Sequence, residues 1–378
     1  MKKKFSLSLL IVVLLSHSLY ASEVPGTIYS KGSVLIEKDS KRVLYEKNAH
    51  EKMAMASTTK IMTCMVALES GKLDEIVTVS KRAARAPKVK LNLKVGEKQR
   101  LGDLLYSLML ESHNDTAVAI AEHIGGSVEQ FCMMMTEKAK AIGAENTCFE
   151  TPNGLDSEAH YSTPYDMALI TAYALDNPDF VKIINTPQIH IPTTQVEGSI
   201  QHDLTNKNRF LSQYEGAKGV KTGYTSKAGH CFVGAAEKDH MELIGVALGA
   251  GWDSKGKARK YTDVIKLMNY GYNNYKKYKV LDKGEEKGFL QVLNGEENQV
   301  KLYVNETIIL PLTEHEKDIL ELRKTEMEEI EAPIKENQIV GKIEVVCDGQ
   351  VLKKVDLLTQ QKVDKATLLD KIKKFFEK

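Results

Sequence analysis

Residues 57–70 are apolar on nearly all sides and stop at Gly71. A helix without a polar face belongs in the interior, so other elements must surround it. Its first turn carries Ser57 and Lys60, a hydroxyl and an amine three residues apart and therefore on one helical face. Burial disfavours the charged form of a lysine, so an amine in this position is pushed toward neutrality.

The flanking sequence supplies the surroundings. Residues 33–37 and 43–46 read as a strand pair turning at Lys38-Asp39-Ser40. Residues 101–111 and 115–124 have helical periodicity, the second closing at Gly125-Gly126, with the polar break Ser112-His113-Asn114 between them. A further helix covers 131–141. Two β-prone runs, 230–237 and 241–248, read as a hairpin around Lys238-Asp239, and 262–275 returns to helical spacing. With 378 residues, 42% of them hydrophobic, the chain can bury one large core and a smaller one. Helices first and hairpins later predict an α+β domain over 22–280, helices packed on an antiparallel sheet. From Gly284 the texture changes to short alternating runs (290–293, 299–304, 306–310, 341–346), which predict a small all-β domain over 284–360. The acidic stretch 326–331 reads as a solvated face.

Both ends are biased. Lys2, Lys3 and Lys4 precede an apolar run of 5–15 and small or polar residues up to Ala21, the pattern of a signal peptide over 1–21. The apolar run is too short to span a bilayer comfortably. The mature chain is thus expected outside the cytoplasmic membrane. At the other end, Leu368, Leu369, Ile372, Phe375 and Phe376 recur at helical spacing beside Lys371, Lys373, Lys374 and Lys378. A basic amphipathic helix over 367–378, in a tail at 361–378, suits a membrane surface.

A formal net charge of +1 gives nucleic-acid binding no electrostatic support. Cys64, Cys132, Cys148, Cys231 and Cys347 are scattered and odd in number, which reads as small buried hydrophobes rather than a disulfide framework or zinc site. The ten histidines form no metal-binding cluster, and no Gly-rich phosphate loop follows a strand. No metal or organic cofactor is expected.

Three motifs remain, in order: Ser57-Thr58-Thr59-Lys60, Ser112-His113-Asn114 and Lys221-Thr222-Gly223. Each alone is weak; together they are a strong signal of an acylating serine site. A serine hydroxyl needs an adjacent base, which Lys60 supplies. A second lysine, Lys221, would lower the Lys60 pKa further. Ser112 can relay a proton, and Asn114 can hold a substrate amide and orient Lys60. Lys221 and Thr222 offer a cation and a hydroxyl to a carboxylate. Gly223 lets a substrate backbone pass close to the strand. The amides of Ser57 and Tyr224 are the natural oxyanion donors.

These motifs resemble the penicillin-binding protein and serine β-lactamase superfamily. The context resembles its low-molecular-weight D-Ala-D-Ala carboxypeptidases: Met55-Ala56-Ser57-Thr58-Thr59-Lys60, Leu110-Glu111-Ser112-His113-Asn114-Asp115, Pro152-Asn153-Gly154-Leu155-Asp156 and Gly219-Val220-Lys221-Thr222-Gly223-Tyr224-Thr225. Ala332-Pro333-Ile334 with Gly341 is similar to the family's second-domain pattern. The resemblance implies a β-lactamase/transpeptidase-like catalytic fold and removal of the terminal D-alanine from peptidoglycan stem peptides. It further implies covalent inhibition by β-lactams. Catalytic roles fall on Ser57, Lys60 and Ser112, and substrate binding on Asn114, Lys221, Thr222, Gly223 and Tyr224.

There are departures. His113 stands where many members have glycine, and its side chain is expected to point away from the cleft. Residues 82–93 are lysine-rich and lack the serines expected there, which leaves substrate preference open. His160 reads as a structural hydrogen-bonder, and Arg259 as part of a solvated basic face. A serine β-lactamase would need a Glu-x-x-x-Asn water site; Glu150 is followed by Asn153 at the wrong spacing. A DD-endopeptidase or transpeptidase on the same fold, and a non-hydrolytic β-lactam or peptidoglycan sensor, stay open as alternatives.

Overall fold

The computed structural model describes residues 24–192 and 202–370. The expected leader at 1–21 and the end of the expected tail from 371 lie outside them. The first unit is built on a five-stranded antiparallel sheet: β1 (Gly32–Glu37), β2 (Val43–Lys47), β3 (Ala217–Thr225), β4 (Gly229–Lys238) and β5 (Met241–Leu248), in the order β2-β1-β5-β4-β3. Strand periodicity sorts its side chains onto two faces. Val34, Ile36, Val233, Ile244 and Val246 join the larger core, while Leu35, Phe232, Leu243 and Ala247 face the other way.

The larger core holds α1 (Lys60–Glu69), preceded by a 3₁₀ turn at Ala56–Thr59. From Lys60 to Leu68 every residue of α1 is buried, as its lack of a polar face demands. Around it lie α2 (Asn114–Gly125), α3 (Val128–Ala141) and α4 (Pro164–Leu175). The opposite sheet face is covered by α5 (Ser254–Asn274), which contributes Tyr261, Val264, Leu267 and Met268. This helix begins eight residues before the periodic run at 262. Its first turns, rich in lysine, hide the pattern, and Asp253 caps them by accepting from the Gly256 amide at 2.8 Å.

The second unit is all-β, with a six-stranded sheet in the order Glu321–Glu326, Ile339–Cys347, Gln350–Thr359, Gln299–Val304, Glu286–Leu293, Glu329–Glu331. One detail differs from the sequence reading. Lys276–Leu281 pairs with Ile308–Leu312, and Leu281 packs into the second core, so this unit starts at 276, before the expected 284. Residues 326–331 lie at the surface, as expected of a solvated face, and Glu329–Glu331 forms a short parallel edge strand there. Between the units, the Arg42 guanidinium bonds Glu316 and the Pro311 carbonyl, and Lys277 reaches Glu37 at 3.1 Å and Asp39 at 2.7 Å.

Candidate active site

The 3₁₀ turn that carries Ser57 is fixed by its own neighbours. Thr58 Oγ1 donates to the Met55 carbonyl at 2.7 Å and Thr59 Oγ1 to the Ala56 carbonyl at 2.9 Å. Both hydroxyls thereby satisfy backbone acceptors in a buried turn. Ser57 is half-buried at the head of α1, and Lys60, one turn on, is fully buried. Lys60 Nζ lies 3.0 Å from Ser57 Oγ, 2.8 Å from Asn114 Oδ1 and 2.5 Å from the Asn153 carbonyl, which also accepts from Ser57 Oγ at 3.3 Å. Burial holds the Lys60 amine well below the usual lysine range, and Lys221 pushes it the same way against a weaker pull from Asp115. The expected Ser57–Lys60 pair is therefore formed, with an amine disposed to be neutral.

Asn114 opens α2 and works twice: its Oδ1 accepts from Lys60, and its Nδ2 donates to the carbonyls of Pro87 at 3.2 Å and Lys88 at 3.1 Å. Ser112 sits in the left-handed region (φ 69°), between a π-turn at Ser107–Glu111 and α2. Its Oγ is buried and makes no hydrogen bond among the described residues. His113 does point away, bonding Ser107 Oγ through Nδ1 at 2.9 Å, and burial lowers its pKa.

β3 forms the facing wall. Lys221 is buried, its Nζ donating to the Thr222 carbonyl at 3.1 Å. Burial, reinforced by Lys260, pushes it down to about 7. A carboxylate brought beside it would pull it back up. Thr222 is half-buried. At Gly223 a Cβ would stand 2.8 Å from the Ser57 amide nitrogen and 3.0 Å from Ala56 Cβ, so this strand meets the Ser57 turn backbone to backbone. Tyr224 is exposed, its ring 4.5 Å from that of His230.

Four contributors were not in the expected site. The Asn153 carbonyl joins Ser57 and Lys60. Gly154 (φ 83°) leaves no room for a side chain, since a Cβ would lie 2.0 Å from the Ala56 carbonyl oxygen. Asp115, fully buried, accepts from the amides of Leu91 (3.0 Å), Asn92 (2.8 Å) and Leu93 (3.1 Å). Lys260, and not Arg259, is the buried cation of α5; Arg259 stacks over Tyr29 at 4.6 Å. The phrase Asn153-Gly154 and an acid directly after Ser-x-Asn were the available signals. Nothing in a lysine-rich run marks which lysine is buried.

His160 has the structural part expected of it: Nδ1 accepts from the Glu150 amide at 3.1 Å, and Nε2 lies 2.9 Å from Thr59 Oγ1. Burial pushes it from the ordinary 6.5 to about 4. The native state thus binds fewer protons here than the unfolded chain between those values, so stability falls as pH drops through that window. Urea melts at a series of pH values should show this loss, and His160→Gln should flatten the slope.

Glu150 is committed to Ser157 Oγ and the Ala159 amide. The cysteines are all free, with Cys148 the one not buried. Among the described residues no group of His, Cys, Asp or Glu could hold a metal, and no helix is long and apolar enough to cross a membrane.

A half-buried serine paired with a neutral-leaning lysine, between a Ser-x-Asn turn and an edge strand carrying Lys-Thr-Gly, defines a serine acyl-transferring enzyme on the penicillin-binding fold. Comparison with known proteins agrees. The family profile of D-alanyl-D-alanine carboxypeptidase matches residues 19–251, and that of the penicillin-binding protein 5 C-terminal domain matches 275–365. The chain is 32% identical to the D-alanyl-D-alanine carboxypeptidase DacF of Bacillus subtilis, over 91% of this chain and 88% of that one. It is 30% identical to DacA of Escherichia coli, over 92% and 88%. A crystal structure of penicillin binding protein 5 from Haemophilus influenzae superposes with a TM-score of 0.78 at 29% identity, covering 91% of this chain and all of that one. The chain belongs to the D-alanyl-D-alanine carboxypeptidase family. It is a serine-type carboxypeptidase of the low-molecular-weight penicillin-binding class, and the endopeptidase, transpeptidase and sensor readings are not favoured.

Proposed function

We propose that Ser57 is the nucleophile with which this enzyme removes the terminal D-alanine of peptidoglycan stem pentapeptides, and that the catalysis takes place outside the cytoplasmic membrane. The observation that carries the assignment of roles is the 3.0 Å contact between Ser57 Oγ and the buried, neutral-leaning amine of Lys60.

Lys60 takes the Ser57 proton as Oγ attacks the carbonyl of the penultimate D-alanine. The Ser57 amide and that of Tyr224, brought alongside by the close approach of Gly223, stabilise the oxyanion. Lys221 and Thr222 hold the terminal carboxylate, and Asn114 orients the acyl chain and Lys60. The proton then passes from Lys60 to the departing D-alanine nitrogen through Ser112, whose Oγ has no competing hydrogen bond among the described residues. Water attacks the Ser57 ester while Lys60 takes its proton; as the acyl C–Oγ bond breaks, Lys60 returns that proton to Ser57 Oγ and the shortened stem leaves as the carboxylic acid. A β-lactam enters as a mimic of the dipeptide; its leaving group stays tethered after ring opening and blocks the water.

The Lys-rich leader at 1–21 supports export, and the basic amphipathic sequence from Thr367 supports a resting place on an anionic membrane surface. Leu368 and Leu369, in the described part of that sequence, are exposed. Intact-protein mass spectrometry after benzylpenicillin treatment tests the nucleophile. One penicilloyl group per chain, mapped to the peptide containing Ser57, is the expected result, and an adduct elsewhere overturns it.

A further inference from the structure

Residues 80–100 hold eight cationic side chains and a single acid, Glu97. That acid is buried and accepts from the Lys94 amide and Gln99 Nε2, both within the same stretch. Some of the cations are accounted for: Arg82 pairs with Glu129, Arg100 with Asp74 and Asp103, and Lys90 donates to the Ala84 carbonyl. Arg85 and Lys88 are exposed and form no ion pair among the described residues.

The backbone between them is tied to the reaction centre. Asn114 donates to the carbonyls of Pro87 and Lys88, and its own amide to the Val89 carbonyl at 2.8 Å, while the same side chain holds Lys60. Asp115 grips the three amides that follow at 91–93. The segment is thus a fixed wall of the cleft, opposite β3, with two unpartnered cations on its solvent side.

We propose that Arg85 and Lys88 form a subsite for a carboxylate on the acyl portion of the substrate, upstream of D-Ala-D-Ala. The inference rests on the carboxypeptidase reading of the site. With the terminal carboxylate at Lys221 and the scissile carbonyl over Ser57, the acyl chain leads toward the Asn114 wall. A free α-carboxylate on a γ-linked glutamyl residue of the stem would meet a positive rim there, whereas the corresponding carboxamide would gain nothing from it. The charges draw the acidic peptide in and lower its KM without touching the reacting atoms.

The test uses two synthetic pentapeptides, L-Ala-γ-D-Glu-L-Lys(acetyl)-D-Ala-D-Ala and the same peptide with the glutamyl α-carboxylate amidated. For the wild-type chain, kcat/KM for D-alanine release should favour the carboxylate peptide by about 5–10-fold at low salt, the difference shrinking at about 0.5 M salt. Arg85→Ala with Lys88→Ala should bring the ratio near one, through KM, with the carboxamide peptide cleaved as before. Arg85→Glu with Lys88→Glu should invert it. A wild-type ratio near one, or a salt-independent ratio that survives the double substitution, overturns the subsite. D-alanine released from neither peptide by the wild-type chain overturns the carboxypeptidase reading itself, and the subsite with it.

Discussion

Replacing Lys60 with methionine should slow acylation of Ser57 by about 10²–10⁴-fold, the usual worth of a positioned general base. Methionine keeps the length and apolar stem of lysine, so the packing of α1 survives. The deleted amine leaves the Asn114 Oδ1 and Asn153 carbonyl acceptors without their shared donor, a cost of about 1–3 kcal/mol that the lost desolvation penalty of a buried amine offsets. The thermal midpoint should therefore move by only a few degrees while the chemistry collapses. The pH dependence separates a base from a spacer. Only the neutral amine accepts the Ser57 proton, so wild-type kcat/KM should rise with pH through the lowered Lys60 pKa. The residual activity of Lys60→Met should lack that rise. Stopped-flow acylation by a chromogenic β-lactam measures both.

Gly154→Ala should be the most damaging single-methyl change near the site. Its φ of 83° lies where residues with a Cβ are strained, and the added carbon would stand 2.0 Å from the Ala56 carbonyl oxygen and 2.4 Å from its carbon. Both obstacles are backbone, so no rotamer change relieves them. One of the two segments must move: the Ser57 turn, or the Asn153 carbonyl that Ser57 and Lys60 share. The expected cost is about 3–5 kcal/mol of stability, in the range of clashes at a special backbone conformation. Acylation should fall at least as far as in Lys60→Met, because nucleophile and base lose their common acceptor together. Denaturant melts and the same stopped-flow assay check the two effects independently.

The difference between these two substitutions mirrors what the sequence discloses. Lys60 is legible because its chemistry is local: three residues on a buried helix put it beside Ser57. The same holds for α1 itself, whose lack of a polar face announces its burial. The strand pairs around Lys38-Asp39-Ser40 and Lys238-Asp239 also follow from alternation and turn chemistry alone. The phrase Asn153-Gly154 marks the neighbourhood of Gly154, but its constraint is a tertiary approach to a segment almost a hundred positions away, which the sequence does not disclose. Asp115 and Lys260 are hidden for a related reason. Charged residues next to polar motifs or within basic runs look solvent-facing, and only the packed structure shows that Asp115 grips three amides and that Lys260 lies buried behind Lys221. The start of the second unit was misplaced by eight residues because Lys276–Leu281 carries three lysines in six positions; pairing with Ile308–Leu312 makes it a strand.

The roles given to the two walls of the cleft have a common electrostatic logic. Three lysines, at 60, 221 and 260, are each driven below the ordinary lysine range, by burial first and then by a neighbouring cation. Neighbouring like charges disfavour one another, which supports the proposed role of the amine beside Ser57 as a base, and a carboxylate brought beside Lys221 would restore its charge.

The most direct measurement is D-alanine release from diacetyl-L-Lys-D-Ala-D-Ala by the chain lacking residues 1–21, set beside Ser57→Ala. Stoichiometric and continuing release by the intact enzyme, with none from Ser57→Ala, is the predicted result. Release that persists after Ser57 is replaced would contradict the central claim that this serine carries the acyl group.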